Sequence, residues 1–593
     1  MVLDFSDPLS LLKQERRLPG LEPYDGRLAV VGTDSIQYLV KIIRLILFSK
    51  GIRAQIYEGE FDGIAAQILD RESALHRFCP DVLVVIPDSR DVKVYPKLLS
   101  SPEQIAAVRR EVTAFYESLW AAFPHRTVLQ ANFVLPALTQ LGNLEKNYAF
   151  SKTSFLQSVN EALLSAKPKN VTILDFEGLA SYVGKKNWFD YSAYYLSRLG
   201  FRLDYAGYVG KLIAEQILAD RAQVRKCLVL DLDDTLWGGI VGEDGADGLE
   251  LNPGHAVGEA YRAFQGYLLE LSKRGVILAV CSKNDPETAK EPFLKNPYMV
   301  LQLEDIACFV ANWEDKASNL RRIAETLNIG LDSLVFVDDN PAERELVRRC
   351  CPEVTVIDLP EDPAWYPDAV ERAGAFDWLA LTQEDLRRNG SYRAERERET
   401  LRGSFVDYDG YLRELSMEGR ILYVTEKEID RFVQLIHKSN QFNLRAKRYS
   451  HGEILRWLED RENRKLIGIT LKDKFHDYGL ISCVILHRRG EDCFLDTWLM
   501  SCRALKRGVE DFTIRAVAEA GREWNCRRLI GEYLPTKKNG MVKDLYPRLG
   551  FRPLSRQERA AFPDLGGEVY GVRIGELQER KSFITRQMGA ENG

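Results

Sequence analysis

The chain has 593 residues, of which 45% are hydrophobic and 28% charged, and its formal net charge is −6. This length predicts three or four domains, and the mild charge argues against nucleic-acid and membrane-surface binding. No apolar stretch approaches the ~18 residues of a membrane span, the first residues lack the pattern of a secretory signal, and the ten cysteines form no C-x-x-C pair. We therefore expect a cytoplasmic protein with reduced thiols.

Residues 1–221 alternate strand and helix patterns. The strand RLAVVG runs into GTDS and is followed by an apolar helix, IQYLVKIIRLILFSKG, and further strands are expected at DVLVVIP, RTVLQANFVLP and NVTILDF. Strands that alternate with helices predict a parallel sheet with helices on both faces. The fold expected here is an α/β domain of the SGNH or flavodoxin-like type.

The GTDS turn of this domain resembles the nucleophile block of SGNH hydrolases, with Ser35 as the candidate nucleophile. Those enzymes also need an Asp and a His about three residues apart near the end of the domain. The matching segment, WFDYSAYYL, contains Asp190 but no histidine, and His76 and His125 lie elsewhere. Because a serine without a base is not activated, we expect an SGNH-like domain without esterase activity.

Two carboxylates follow the strand pattern of CLVLDLDDTLWGG, which begins the second predicted domain at residues 222–372. Asp231 ends the apolar run and Asp233 lies two positions further on. Such a run is typical of a strand buried in a parallel sheet, and ligands of open α/β sheets bind at the carboxyl ends of the strands. The pair can share a divalent cation while one carboxylate attacks phosphorus and the other moves a proton.

Three later segments supply further polar groups in a fixed order. The strand GVILAVCSKND ends at Ser282, Lys316 lies near the start of a predicted helix, and the strand SLVFVDDNPAERE ends at Asp338 and Asp339. Asn340 suits the N-cap of the helix that follows. A hydroxyl, a cation and carboxylates at strand ends and helix starts are the groups that bind a phosphoryl group and its metal ion.

These four motifs resemble those of the haloacid dehalogenase (HAD) phosphatase superfamily. The resemblance implies that Asp231 is the nucleophile that forms an aspartyl-phosphate and that Asp233 is the general acid and base. Mg²⁺ would be held by Asp231, the backbone carbonyl of Asp233 and a carboxylate of the last motif, with Asp339 preferred over Asp338. Two further residues would hold the transferring phosphoryl group, namely Ser282 and Lys316.

The spacing of the motifs leaves no room for an inserted lid. About fifty residues separate Asp231 from Ser282, and about thirty-four separate Ser282 from Lys316, whereas a separate domain needs roughly fifty residues of its own. The site is therefore expected to be open or covered by another domain of the chain. An open site favours a bulky or protein-borne substrate.

A charged helical linker is predicted over residues 373–412, and a mixed α/β domain over 413–593. In WLMSCRALKRGVEDF, a basic turn joins a strand to a helix start, where backbone N–H groups bind phosphates. It resembles the pyrophosphate loop of GNAT acyltransferases, although Lys506 replaces the first glycine of that pattern. The resemblance implies a pantetheine-binding site at Arg503, Lys506, Arg507 and Gly508.

The three domains in this order resemble the FkbH-like family, whose signatures appear as DLDDTLWGGIVGEDG, VCSKND, FVANWEDKASNL, FVDDNPAERE and KSNQFNLRAKRYS. The resemblance implies a glyceryltransferase/phosphatase of polyketide or related metabolism. It would take 1,3-bisphosphoglycerate, remove phosphate and load the glyceryl unit onto the phosphopantetheine thiol of an acyl carrier protein. The resemblance also implies that the glyceryl group passes through an enzyme cysteine. The candidate is Cys281, whose thiolate form Lys316 and Mg²⁺ would favour, and the second candidate is Cys502. The alternative is that the carrier thiol attacks the substrate directly.

Two other classes of function stay open from the sequence. The protein is either an ordinary Mg²⁺-dependent phosphatase, acting on another carrier-bound or small phosphate ester with non-catalytic outer domains, or a scaffold that binds a carrier protein through an inert GNAT-like part. Successive side chains of a strand point to opposite faces of the sheet. Cys281 can therefore face the phosphate site together with Ser282 only if the strand ends between these two residues. Phosphate release with and without a carrier protein separates the three functions.

Overall fold

The computed structural model of the protein describes residues 3–221, 225–378, 381–388, 407–439, 441–449, 451–501, 504–536, 538–578 and 580–587, and the single positions 390, 394, 398, 401, 402 and 405. The chain divides into two compact units, one of residues 1–221 with 450–456 and one of residues 222–449 with 457–593. Within the described residues, no helix has both the length and the apolar character needed to cross a bilayer.

The first unit is built on a five-stranded parallel sheet with the order β2-β1-β3-β4-β5. Its strands are β1 (Gly26–Gly32), β2 (Ala54–Glu58), β3 (Val82–Ile86), β4 (Thr127–Ala131) and β5 (Val171–Leu174). Its helices are α1 (Pro8–Glu15), α2 (Gln37–Ser49), α3 (Ile64–Leu69), α4 (Ala74–Phe78), α5 (Pro102–Ala121), α6 (Lys152–Ala166), α7 (Phe176–Val183), α8 (Lys185–Trp188), α9 (Tyr191–Ser197) and α10 (Ala206–Asp220). The order is that of flavodoxin-like sheets.

The second unit begins with another five-stranded parallel sheet, of order β10-β9-β6-β7-β8. Its strands are β6 (Cys227–Leu230), β7 (Ile277–Ser282), β8 (Ile306–Ala311), β9 (Leu334–Asp338) and β10 (Thr355–Asp358). The helices around it are α11 (Val241–Gly248), α12 (Ala256–Lys273), α13 (Pro286–Lys295), α14 (Lys316–Thr326), α15 (Pro341–Cys350) and α16 (Tyr366–Arg372), followed by α17 (Gln383–Leu386). Helices join consecutive strands, and no cap domain interrupts residues 225–378.

An eight-stranded mixed sheet completes the second unit, with the order β16-β17-β15-β14-β13-β12-β11-β18. Its strands are β11 (Met417–Tyr423), β12 (Arg464–Lys472), β13 (Asp477–Arg489), β14 (Asp492–Met500), β15 (Arg528–Tyr533), β16 (Arg552–Pro553), β17 (Glu568–Arg573) and β18 (Ile584–Arg586). The remaining helices are α18 (Tyr408–Glu414), α19 (Ile429–Lys438), α20 (His451–Glu459), α21 (Val509–Glu523), α22 (Leu545–Arg548) and α23 (Arg556–Arg559). A parallel pair, β14 and β15, lies among antiparallel neighbours, which gives the domain its GNAT-like character.

The fold class expected from the sequence is therefore correct for all three sheets. Four of the five strands of the first sheet were identified, and β2 was missed. Thr382 begins α17 with a capping box to Asp385. Much of the predicted linker between residues 389 and 406 lies outside the described residues.

Candidate active site

Three neighbouring strands bring the polar groups of the second domain to one edge of its sheet. β6 lies between β7 and β9 and is parallel to both, so the carboxyl ends of the three strands are adjacent. Asp231 follows β6 directly, Ser282 ends β7 and Asp338 ends β9. The strands themselves are fully buried, so the site lies at the edge of a rigid core.

Lys316, the first residue of α14, lies beneath this edge. Its side chain is 1% exposed, and its Nζ lies 2.8 Å from Asp231 Oδ1 and 3.2 Å from Asp338 Oδ2. Nζ also donates to the carbonyl oxygen of Cys281 at 2.7 Å. Burial opposes the charge of Lys316, but the carboxylates of Asp231 and Asp338 outweigh it and raise the pKa of the ammonium group. A buried cation therefore lies beside the carboxylates of Asp231 and Asp338.

Three carboxylates crowd together above Lys316. One oxygen from each of Asp231, Asp338 and Asp339 lies within 4.8 Å of the others. Burial, and then the charge of Asp231, raise the pKa of Asp338 to about 7, and the same two causes raise the pKa of Asp339. Asp338 Oδ2 is buried and accepts no hydrogen bond of good geometry. A divalent cation with oxygen ligands fits this set, since it would neutralise the repulsion and fill the unused acceptor.

Asp231 is held by one of its two oxygens. Oδ1 accepts from Lys316 Nζ and from the backbone N–H of Leu232 at 2.8 Å. Within the described residues, no donor is recorded for Oδ2, so this oxygen is available to a ligand. The neighbouring turn is fixed by Thr235, whose Oγ1 accepts from the backbone N–H of Asp339 at 3.2 Å.

Asp233 is fixed by three donors that the sequence reasoning missed. Its Oδ1 accepts from Trp237 Nε1 at 2.9 Å and from the backbone N–H of Val241 at 3.0 Å. Its Oδ2 accepts from Asn284 Nδ2 at 2.7 Å. The same amide nitrogen lies 3.4 Å from Ser282 Oγ. The position of Asn284 just past a buried strand was a usable signal, whereas nothing marked Trp237.

Comparison with known proteins agrees with this geometry. Residues 27–218 match the family described as FkbH, N-terminal domain. The crystal structure of the N-terminal part of the protein BF1531 from Bacteroides fragilis, containing a phosphatase domain and complexed with Mg, is similar over 64% of this chain and 100% of that chain, with 33% identity and a TM-score of 0.58. The chain belongs to the FkbH-like family.

Two other solved structures are similar over a smaller part of this FkbH-like protein. They are a GNAT-family acetyltransferase from Staphylococcus aureus Mu50, at 13% identity and a TM-score of 0.22, and a domain from Methanocaldococcus jannaschii, at 14% and 0.21. Each covers 26% of this chain and 99% of its own. Comparison with curated proteins finds no match.

The proposed thioester cysteine does not face the site. β7 runs without interruption through Ser282, so the predicted strand break between Cys281 and Ser282 is wrong. The Cys281 side chain is 0% exposed and belongs to an apolar cluster with Val229, Ala279 and Leu320. Burial raises the pKa of its thiol to about 12, against the smaller opposing effect of Lys316. The alternative, Cys502, lies outside the described residues.

The first domain places Ser35 without a base. Its Oγ donates to the carbonyl oxygen of Ser197 at 2.8 Å, and the side chain of Asp190 instead caps α9 by accepting from the backbone N–H of Ala193. His76 instead bonds through its ring nitrogen to the backbone carbonyl of Ile68 and stacks on Phe123. That this SGNH-like domain lacks esterase activity stays a prediction.

The basic turn before α21 only partly matches the predicted pantetheine site. Gly508 caps the helix with a φ of +74°, and Lys506 is exposed with a φ of +61°. Arg507 is 5% exposed; it lies 3.5 Å from Asp473 and over the ring of Tyr478. The buried pairing with Asp473 argues against the predicted role of the Arg507 side chain in pantetheine binding. Arg503 lies outside the described residues.

A segment of the chain itself fills the open end of the β14–β15 pair. The two strands pair over four positions of each, and beyond them the segment 442–445 lies between the strands. Leu444 donates its backbone N–H to Trp498 O at 3.2 Å, and its carbonyl accepts from Leu534 N at 2.9 Å. Ligands of parallel sheets bind at the carboxyl ends of the strands. The segment 442–445 therefore occupies the position that an extended ligand of this strand pair would need.

A buried network of ion pairs holds the segment 442–445 between β14 and β15. Arg445 is 3% exposed and lies 2.6 Å from Asp496 and 2.6 Å from Glu532. These two carboxylates come from β14 and β15, so the arginine joins both strands through its own segment. The motif KSNQFNLRAKRYS thus has a structural role in the GNAT-like domain.

Proposed function

We propose that this protein removes phosphate from 1,3-bisphosphoglycerate and loads the glyceryl unit onto the phosphopantetheine thiol of an acyl carrier protein. The observation that carries the proposal is the convergence of Asp231, Asp338 and Asp339 above the buried Lys316. The resemblance to the FkbH-like family supports the choice of substrate and carrier, and the absence of a cap within residues 225–378 leaves room for a protein-borne group.

The phosphate ester step uses Asp231 and Asp233. Asp231 Oδ2 attacks the phosphorus, the bond from phosphorus to the substrate oxygen breaks, and Asp233 gives that oxygen a proton. Water then attacks the aspartyl-phosphate, Asp233 takes its proton, and free phosphate leaves with Asp231 restored. Lys316 and Ser282 hold the phosphoryl oxygens throughout. Bound Mg²⁺, held by the three carboxylates, would neutralise charge on the phosphoryl group.

The thioester step needs no enzyme nucleophile. The carrier sulfur attacks the acyl carbon, the bond from that carbon to the phosphate oxygen breaks, and the thiol proton leaves with the phosphate. We propose direct attack because Cys281 is buried with a pKa near 12, which leaves it almost no thiolate at neutral pH.

Counting phosphates against loaded carrier tests the proposal. Wild-type protein should release two phosphates for each glyceryl group found on a holo carrier, and an apo carrier without its pantetheine arm should accept none. Asp231→Asn should release one phosphate and leave phosphoglyceryl on the carrier, because only the ester step uses Asp231. A folded Asp231→Asn protein that still yields glyceryl-loaded carrier would contradict the assignment.

A simple phosphatase is the second candidate, and two observations favour it. Cys281 lies in an apolar cluster, and the segment 442–445 fills the end of the parallel pair in the GNAT-like domain. In that case the outer domains would only recruit the substrate. Phosphate release would then be equal with and without carrier, and the carrier mass would not change.

A further inference from the structure

The Asp233 carboxylate is held more firmly than any other acid of the site. Both of its oxygens accept hydrogen bonds, from Trp237 Nε1 and the backbone N–H of Val241 on one oxygen and from Asn284 Nδ2 on the other. Trp237 is 0% exposed and Asn284 is buried. Two buried donors aimed at one carboxylate fix both its rotamer and the direction of its free lone pairs.

Asn284 also reaches the phosphate-binding hydroxyl. It follows β7 by two residues, and its Nδ2 lies 2.7 Å from Asp233 Oδ2 and 3.4 Å from Ser282 Oγ. Ser282 ends β7, and Asp233 lies in the turn after the neighbouring strand β6. A single amide between them therefore sets the distance from the carboxylate to a phosphoryl group held by the serine.

We propose that Asn284 is a positioning residue, which with Trp237 orients the Asp233 carboxylate toward the substrate oxygen on a phosphoryl group bound at Ser282. This inference rests on the proposed phosphatase step and gives a role to two residues to which the four motifs assign none. Because no cap domain is inserted in residues 225–378, this carboxylate is oriented from below, by the turn after β6 and the end of β7.

Kinetics of a phosphate monoester, p-nitrophenyl phosphate, test the positioning role. Asn284→Ala frees Asp233 Oδ2, and a misplaced catalytic group can cost on the order of 10²-fold in rate. We expect kcat to fall by about that factor while KM and the Mg²⁺ concentration for half-maximal rate stay within about threefold, because Ser282, Lys316 and the acidic trio are untouched. Trp237→Phe should lower kcat by less, since Val241 still donates to Oδ1.

A double variant separates positioning from a general structural defect. If Asn284 acts through Asp233, adding Asn284→Ala to Asp233→Asn should slow the enzyme no further. A matched control is Asn296→Ala, which removes another buried amide of the same domain, one that donates to the carbonyl oxygen of Ala246 at 2.7 Å; its kcat should stay near wild type. Multiplicative losses in the double variant, or a normal kcat in Asn284→Ala, would overturn the proposal.

A spectroscopic readout keeps the inference testable if the monoester is not turned over. The indole N–H signal of Trp237, assigned by its loss in Trp237→Phe, should shift in both Asp233→Asn and Asn284→Ala, and not in Asn296→Ala. An unchanged signal in Asn284→Ala would refute the proposal that Asn284 and Trp237 together orient the Asp233 carboxylate. If the wild-type protein does not turn over the monoester but the Trp237 signal shifts as expected, the proposed phosphatase step is refuted and the contact of Asn284 with Asp233 is established.

Discussion

Replacing Lys316 by methionine is the most informative single change, because it leaves two buried carboxylates without their cation. At an effective dielectric of about 20, the attractions at 2.8 and 3.2 Å correspond to about 6 and about 5 kcal/mol. Desolvation of the ions offsets most of this sum, and removing one partner of a buried pair costs about 3–5 kcal/mol net. We therefore expect Lys316→Met to destabilise the phosphatase-like domain by that amount in EDTA.

Calorimetry of the full chain measures this loss. For a domain of this size, 1 kcal/mol corresponds to about 2–4 °C in Tm, so the transition that Mg²⁺ shifts should fall by about 6–20 °C. Added Mg²⁺ should restore part of the difference, since it supplies positive charge to the same carboxylates. The control is Lys273→Met, which removes an ion pair whose lysine is 61% exposed and should shift nothing measurable.

An unchanged Tm for Lys316→Met in EDTA would refute this reasoning. It would mean that Asp338 takes up a proton at no cost when the cation is removed. Phosphate release by the variant should also fall by about 10²–10³-fold, the usual effect of losing one charge-stabilising donor. A variant with normal activity would show that Lys316 does not act on the phosphoryl group.

Three further outcomes follow from the contacts described above. In native protein at pH 8, Cys281 should not react with iodoacetamide, because its thiol pKa lies near 12, and peptide mapping checks this. The Cys281→Ser variant should still load the carrier, which the mass of the carrier checks. Hydrolysis of p-nitrophenyl acetate should be negligible and unaffected by Ser35→Ala, whereas robust hydrolysis lost in that variant would restore the esterase hypothesis. Isothermal titration with coenzyme A should show no binding, because the segment 442–445 fills the end of the β14–β15 pair. Arg507→Ala should lower Tm rather than raise the KM for the carrier, because Arg507 pairs with the buried Asp473.

The backbone of the active site was predictable because its signals are local. An apolar run that ends in a carboxylate or hydroxyl marks a strand end, and parallel pairing then places those ends together, as for Asp231, Ser282 and Asp338. Asn340 caps α15 through its own side chain, which a single turn of sequence determines. Each of these signals lies within a few residues of the position that it marks.

Several of the contacts that sequence reasoning missed depend on distant partners. Asn284 reaches Asp233 across 51 residues, and Arg507 is buried because Asp473, 34 residues earlier, pairs with it. Cys281 faces the core because β7 continues one residue further than the turn residues after it indicated. Periodicity and residue type cannot report which strand edge or carboxylate a side chain will meet.

Intact mass measurement of a holo acyl carrier protein tests the central claim most directly. After incubation with the enzyme, Mg²⁺ and 1,3-bisphosphoglycerate, the carrier should gain the mass of one glyceryl group, and with Asp231→Asn it should gain one phosphoglyceryl group instead. A carrier of unchanged mass, in a reaction that nevertheless releases phosphate, would contradict the transferase and leave a phosphatase.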